Sequence, residues 1–149
     1  MTGRFRQRLL AGLVVLLVTS GCAEEIVAPT ASQAGEKLRV HVTKLLEAVG
    51  SNDVKIVDAG GRNISCGNNM AKRTFLASAN NSAPELGPDG LNAILAAALK
   101  GIAEYQVVND GKSEHIRMYR KDDRTTLILQ SPSDGKYQVW GETDCLSLS

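Results

Sequence analysis

The first 22 residues constrain this chain most, because they decide which part of it folds and in which compartment. Arg4, Arg6 and Arg8 precede an unbroken run of apolar and small residues from Leu9 to Val18. Thr19-Ser20-Gly21 then lead into Cys22. A positive start, a short apolar segment and small residues ahead of a cut site read as a secretory signal peptide. Residues 1–21 are therefore expected to be removed, and the fold is to be sought from Cys22 onward. Paired arginines are missing from the leader, which points to the general secretion route rather than the twin-arginine one.

The small residues directly before Cys22 resemble a bacterial lipobox, the signature of exported lipoproteins, with Thr19 standing where that family usually has leucine. The resemblance implies cleavage before Cys22, a diacylglycerol on its sulfur and a further acyl chain of the palmitate kind on its amino group. Each buried methylene is worth about 0.8 kcal/mol, and stable anchoring takes two or more chains. Two other readings stay open: an ordinary cleaved signal leaving a free cysteine, and an uncleaved anchor. The run from Leu9 is short for an anchor, since a spanning helix needs about 20 apolar residues. On the lipoprotein reading the chain is held by its lipid at the extracytoplasmic face of the cell membrane. Residues 22–31 are then the lipidated cysteine and a tether that reaches about 30 Å when extended.

That resemblance also divides the three cysteines. With Cys22 carrying lipid, Cys66 and Cys145 are left as a pair in an exported protein, where disulfides persist. Closing so long a loop stabilises a fold by roughly 4 kcal/mol in the chain-entropy picture. A zinc site would need more ligands than two distant cysteines without a C-x-x-C spacing. The expectation is a disulfide staple and no metal or cofactor.

Removing the leader takes three of the 17 basic residues and leaves 14 against 16 acidic ones. No basic stripe remains, so nucleic acid is not an expected partner. About 128 residues suffice for one domain, here 32–149, around one core. Phe75, Tyr105, Tyr119, Tyr137 and Trp140 are its aromatics, so that core must be mostly aliphatic.

Thr30 and Gln33 have capping-box spacing, with Ser32 an alternative start. Ala34, Leu38, Val42, Leu45, Leu46 and Val49 then recur at helical spacing up to Gly50. Residues 54–59 read as a strand broken by Gly60-Gly61, after which Ile64-Ser65-Cys66 can resume pairing. Residues 72–79 alternate, with Phe75, Ala77 and Ala79 on one face. Pro88-Asp89 opens a second helix whose apolar face is Leu91, Ile94, Leu95, Ala98 and Leu99, closed by Gly101. Four more strands complete the pattern: 103–108, turning at Asn109-Asp110-Gly111; 114–120; 125–131; and 136–145. In the last, Tyr137, Val139, Gly141, Thr143 and Cys145 share a face. The expected fold is α+β, two helices on one face of an antiparallel sheet, in the order α-β-β-α-β-β-β-β.

This layout is similar to that of the small cell-envelope lipoproteins of actinobacteria. The shared features are a lipobox, an N-terminal helix and a cysteine after a Gly-Gly break. To these are added a second helix running into Gly101-Ile102-Ala103-Glu104-Tyr105 and a closing Gly141-Glu142-Thr143-Asp144-Cys145. The resemblance implies location and fold, and no mechanism.

Chemistry-bearing patterns are few. Trp140, Glu142 and Asp144 alternate on one strand face beside Gln138 and Lys136, which reads either as a recognition surface or as a solvent-facing strand whose tryptophan covers the sheet edge. Asp110, Asp122 and Asp123 are accounted for by their hairpin positions. The two histidines, His41 and His115, are not accompanied by G-x-S-x-G or a glycine-rich phosphate loop. The functional expectation is a non-enzymatic, lipid-anchored binding or accessory protein of the cell envelope, its partner an envelope protein. The alternative is a carrier or sensor of an apolar ligand held between helices and sheet, which needs a cavity of about 300 Å³ or more.

Overall fold

The computed structural model describes residues 27–82, 85–108 and 115–149. The leader, Cys22, the start of the tether and the Asn109-Asp110-Gly111 turn lie outside the described residues. Helix α1 spans Ala31–Ala48. Next in the chain come strands β1 (Asn52–Asp58), β2 (Ile64–Gly67), β3 (Met70–Lys72) and β4 (Thr74–Asn80), then helix α2 (Pro88–Leu99). Strands β5 (Gln106–Val107), β6 (Ile116–Arg120), β7 (Thr125–Ser133), β8 (Lys136–Thr143) and β9 (Leu146–Ser147) complete it. The fold is α+β, with both helices on one face of an antiparallel sheet.

Helix α1 starts and stops by local chemistry. The Gln33 amide donates to Thr30 Oγ1 at 3.3 Å, and the Thr30 amide donates to Gln33 Oε1 at 3.0 Å, the reciprocal pair of a capping box. At the other end Gly50 takes φ +61°; its amide donates to the Glu47 carbonyl and that of Ser51 to the Leu46 carbonyl. A left-handed residue there lets the chain turn while satisfying the last carbonyls.

Six strands form the main sheet in the order β1-β4-β8-β7-β6-β5, and β2-β3-β9 form a smaller one. Strand β8 sits in the middle because it pairs on both sides. Leu76 faces Trp140 and Trp140 faces Ile128, while Phe75 faces Gly141 and Gly141 faces Leu127. The alternation sends Phe75, Ala77, Tyr137, Val139, Leu127, Leu129 and Met118 to the helix side. There they close over Leu38, Val42, Leu45 and Leu46 of α1 and Leu91, Leu95 and Leu99 of α2. Gly141 permits this closure: a Cβ there would overlap Leu38 Cδ1 and stand 3.0 Å from Leu127 Cδ2.

The structure revises the expected order in several places. Four strands, not two, lie between the helices. Residues 64–67 do pair, and the run expected from Lys72 to Ala79 is divided at Arg73 into β3 and β4, which belong to different sheets. At that break the Arg73 amide donates to Thr143 Oγ1 and the Arg73 carbonyl accepts from the Thr143 amide. The strand expected over 103–108 is two residues long, because Tyr105 turns inward to the core. On α2 Ile94 is exposed and Asn92 buried, since the helix is rotated on the sheet relative to a strict apolar stripe. Cys145 lies past the end of β8, so it does not share the core face with Thr143. It bonds Cys66 beside the small sheet, with the two Cα atoms 6.1 Å apart. A second, smaller cluster of Ala31, Ala34, Ala71 and Leu146 underlies that sheet.

Candidate functional site

No helix is packed on the opposite face of the main sheet among the described residues, and that face carries the residues singled out from the sequence. Trp140 stands on a central strand, in one row with Leu76, Ile128 and Arg117. It therefore does not cover a sheet edge. The next row runs Thr74, Glu142, Thr126 and Tyr119; the row on the other side holds Ser78, Gln138 and Gln130. The apolar patch is thus three side chains wide and is bounded by polar rows, because the period-two alternation of β4, β7 and β8 is in phase across all three strands.

Charges border it. Glu142 accepts from Lys72 Nζ at 3.1 Å and from Arg117 Nη2 at 3.4 Å, tying β3, β6 and β8 together. Exposed pairs of this kind contribute about 0–1 kcal/mol each. At the corner, Asp144 Oδ2 accepts from Tyr119 Oη at 2.9 Å and from Arg124 Nε at 2.7 Å. Burial, with the neighbouring Asp144 carboxylate, holds the Tyr119 hydroxyl above its usual range, so it stays a neutral donor. Two shallow grooves of about 340 Å³ each flank the patch toward β1. One is lined by Asp53, Lys55, Ser78, Asn80 and Lys136, the other by Asp58, Arg62, Asn63 and Thr74. Asp58 accepts from Thr74 Oγ1 and the Gly60 amide, which keep its carboxyl below the ordinary range.

A second polar group was not legible in the sequence. His41 Nδ1 lies 3.0 Å from Tyr105 Oη, which lies 2.9 Å from Thr125 Oγ1. The two rings meet edge to face with centroids 5.7 Å apart. Asp123 Oδ2 is 4.0 Å from His41 Nδ1 and is held at 2.6 Å by Arg120 Nε. Burial lowers the His41 pKa against the pull of Asp123, and burial raises Tyr105 to about 12. Both groups are neutral at physiological pH, and Thr125 is fully buried. This is a satisfied peg under the sheet edge, with no nucleophile open to a substrate. It joins residues 64 positions apart, which no local pattern announces.

The other residues singled out are dispersed. Asp122 and Asp123 both bind Arg120. Asp110 lies outside the described residues. His115 lines a groove of about 500 Å³ with Asp89, Gln130 and Ser131, apart from the His41 group. Among the described residues no three His, Cys, Asp or Glu side chains gather in a way that holds a metal.

Fold and surface together define an α+β domain with one helix-covered face and one open face centred on a tryptophan. No family model matches the chain, and no curated protein or solved structure matches it either.

Proposed function

We propose that this chain is a lipid-anchored, extracytoplasmic binding or accessory protein of the bacterial cell envelope, non-enzymatic, whose contact surface is the open sheet face around Trp140. The observation that carries the reading is the position of Trp140: mid-sheet, between Leu76 and Ile128, on the face no described helix covers. A large amphipathic ring framed by ion pairs is the make-up of an interface anchor. The leader and Cys22 supply the location, and on this reading the lipid holds the domain within a short tether's length of the membrane. The apolar-ligand alternative draws less support. Where α1 meets the sheet, Leu38, Leu127 and Gly141 leave no room for an added methyl group, so a ligand there would have to part helix and sheet.

Two measurements test the two halves of the proposal. Radiolabelled palmitate should enter the wild-type chain and not Cys22→Ala; labelling of neither sinks the location. Crosslinking from the membrane-bound chain should recover one envelope protein, and Trp140→Ala should weaken that complex about 30-fold, as loss of a 2 kcal/mol anchor does. Equal recovery with a folded Trp140→Ala chain rules this face out.

A further inference from the structure

The end of the domain where the chain enters is built unlike the rest of its surface. Strand β4 begins there and β8 ends there, and the small sheet β2-β3-β9 continues beyond them. The start of α1 is fastened to that sheet. Ala31 and Ala34 pack on Ala71 and Leu146, while Arg73 donates to Ser32 Oγ at 3.3 Å and to Asn63 Oδ1 at 2.9 Å. Just ahead of α1, Ala28 and Pro29 line a groove of about 640 Å³ with Tyr119, Lys121, Asp122 and Arg124 at the β6–β7 turn. Apolar side chains are exposed at this end. Ile64 and Met70 stand on the face of the β2–β3 hairpin turned away from Ala71, with 43 and 39% of their surface accessible. Leu148, 41% exposed, shares a groove of about 110 Å³ with Met70. Val27, four residues ahead of α1, is 84% exposed.

The charges at this end leave a positive excess. From Ala59 to Arg73 the chain has Arg62, Lys72 and Arg73 and no acidic residue. The carboxylates nearby are engaged: Glu36 by Arg39, Glu142 by Lys72, Asp144 by Arg124, and Asp122 and Asp123 by Arg120. Asp58 accepts from Thr74 and the Gly60 amide. Arg62, Arg73 and Lys121 make no ion pair among the described residues.

We infer that this end of the domain rests on the lipid surface of the membrane. Ile64, Met70 and Leu148 sit at the headgroup boundary, and Arg62, Arg73 and Lys121 lie among anionic headgroups. The inference rests on the lipid-anchored reading above. From Cys22 to Ala28 the chain reaches about 20 Å at full stretch. An acylated Cys22 therefore keeps this end, and not the opposite one, within reach of the bilayer. Attachment at such a boundary grows with buried apolar area and with attraction to anionic lipid, and this end offers both. Val54, Ile56 and Val57 on β1, Ile94 on α2 and Val107 on β5 are exposed as well, but along the flanks. With the strands standing on end, the Trp140 face looks sideways along the membrane and stays open to a partner.

The test is photolabelling of the full chain in its own membrane. The probe is a phospholipid carrying a diazirine at the top of its acyl chain, and insertion sites are mapped by peptide mass. Labels should collect at Ile64, Met70 and Leu148, while Val54, Ile94 and Val107 stay at background. Met70→Glu combined with Leu148→Glu changes two exposed positions and leaves both apolar clusters intact. In that chain, with its Cys66–Cys145 bridge verified, labelling at Ile64 should fall to background. Even labelling of all exposed apolar residues overturns the contact, as does labelling centred on the Trp140 face. Labelling of Ile64 unmoved by the double variant overturns it too. An unlabelled small sheet in a chain whose Cys22 peptide carries acyl mass overturns the contact alone and leaves the anchored reading standing. A Cys22 peptide without acyl mass takes down that reading, and the contact with it.

Discussion

At the scale of single residues, the most informative group is His41. Its ring is spent on Tyr105, and burial among α1, Tyr105 and the Arg120–Asp123 pair keeps it uncharged in the folded chain. Below the ordinary histidine pKa of 6.5 the unfolded chain takes up a proton that the folded chain resists, so acidification favours unfolding until the lowered folded pKa is passed. Asp123 works against this; Arg120, Lys37 and Lys44 work with it. Between about pH 7.5 and 5.5 the thermal unfolding midpoint of the wild-type chain should therefore fall, and the fall should be smaller in His41→Gln. Asp58, whose carboxyl is depressed, has its effect only below its ordinary value of 3.8 and leaves this window clear. An equal fall in both chains would show that His41 does not bear the load. Residues of this sort are hidden in a sequence. His41 lies at the edge of a helix stripe and Tyr105 in a loop, and only the tertiary fold makes them partners.

At the scale of elements, local rules carried far and stopped where strands choose neighbours. The Thr30/Gln33 box, the helix stripe from Ala34 to Leu46 and the alternation of Phe75, Ala77 and Ala79 are all visible as spacing, and all hold. The break at Arg73 was not visible, because it arises from a bond to Thr143, 70 residues away. Nor was the central place of β8, which turned Trp140 from a candidate edge cover into the middle of an open face. The exposure of Val54, Ile56 and Val57 has the same origin: a β-rich run reads alike whether it ends up inside a sheet or at its rim. One element contact is testable directly. Helix α1 approaches β8 at Gly141, where a methyl group would strike Leu38 and crowd Leu127. Gly141→Ala should lose about 1–3 kcal/mol, the usual effect of overfilling a packed core. It would be read as a lower urea midpoint with unchanged slope. No loss would mean that the helix can ride outward freely.

At the scale of the whole molecule, two apolar clusters and one covalent bridge divide the work. The larger cluster binds both helices to the main sheet; the smaller holds Ala31 and Ala34 of α1 against Ala71 and Leu146. Small clusters bury little surface, and the Cys66–Cys145 bond compensates by closing a span of 79 residues across the small sheet. Replacing both cysteines with serine should lower the unfolding free energy by roughly 4 kcal/mol in the chain-entropy picture. Denaturant titration of oxidised wild-type and variant would measure it. A loss under about 1 kcal/mol would mean that the small sheet is self-supporting.

The first turn of α1 also decides how the body bears mechanical load. A pull on the chain ahead of Thr30 passes into the first turn of α1, where Ala31 and Ala34 rest against Leu146, the neighbour of Cys145. Traction from the N-terminal side thereby enters the body beside its Cys66–Cys145 thread. The rest of α1 is bedded on the main sheet through Leu38, Val42, Leu45 and Leu46, so the sheet shares that load as the helix is drawn lengthwise.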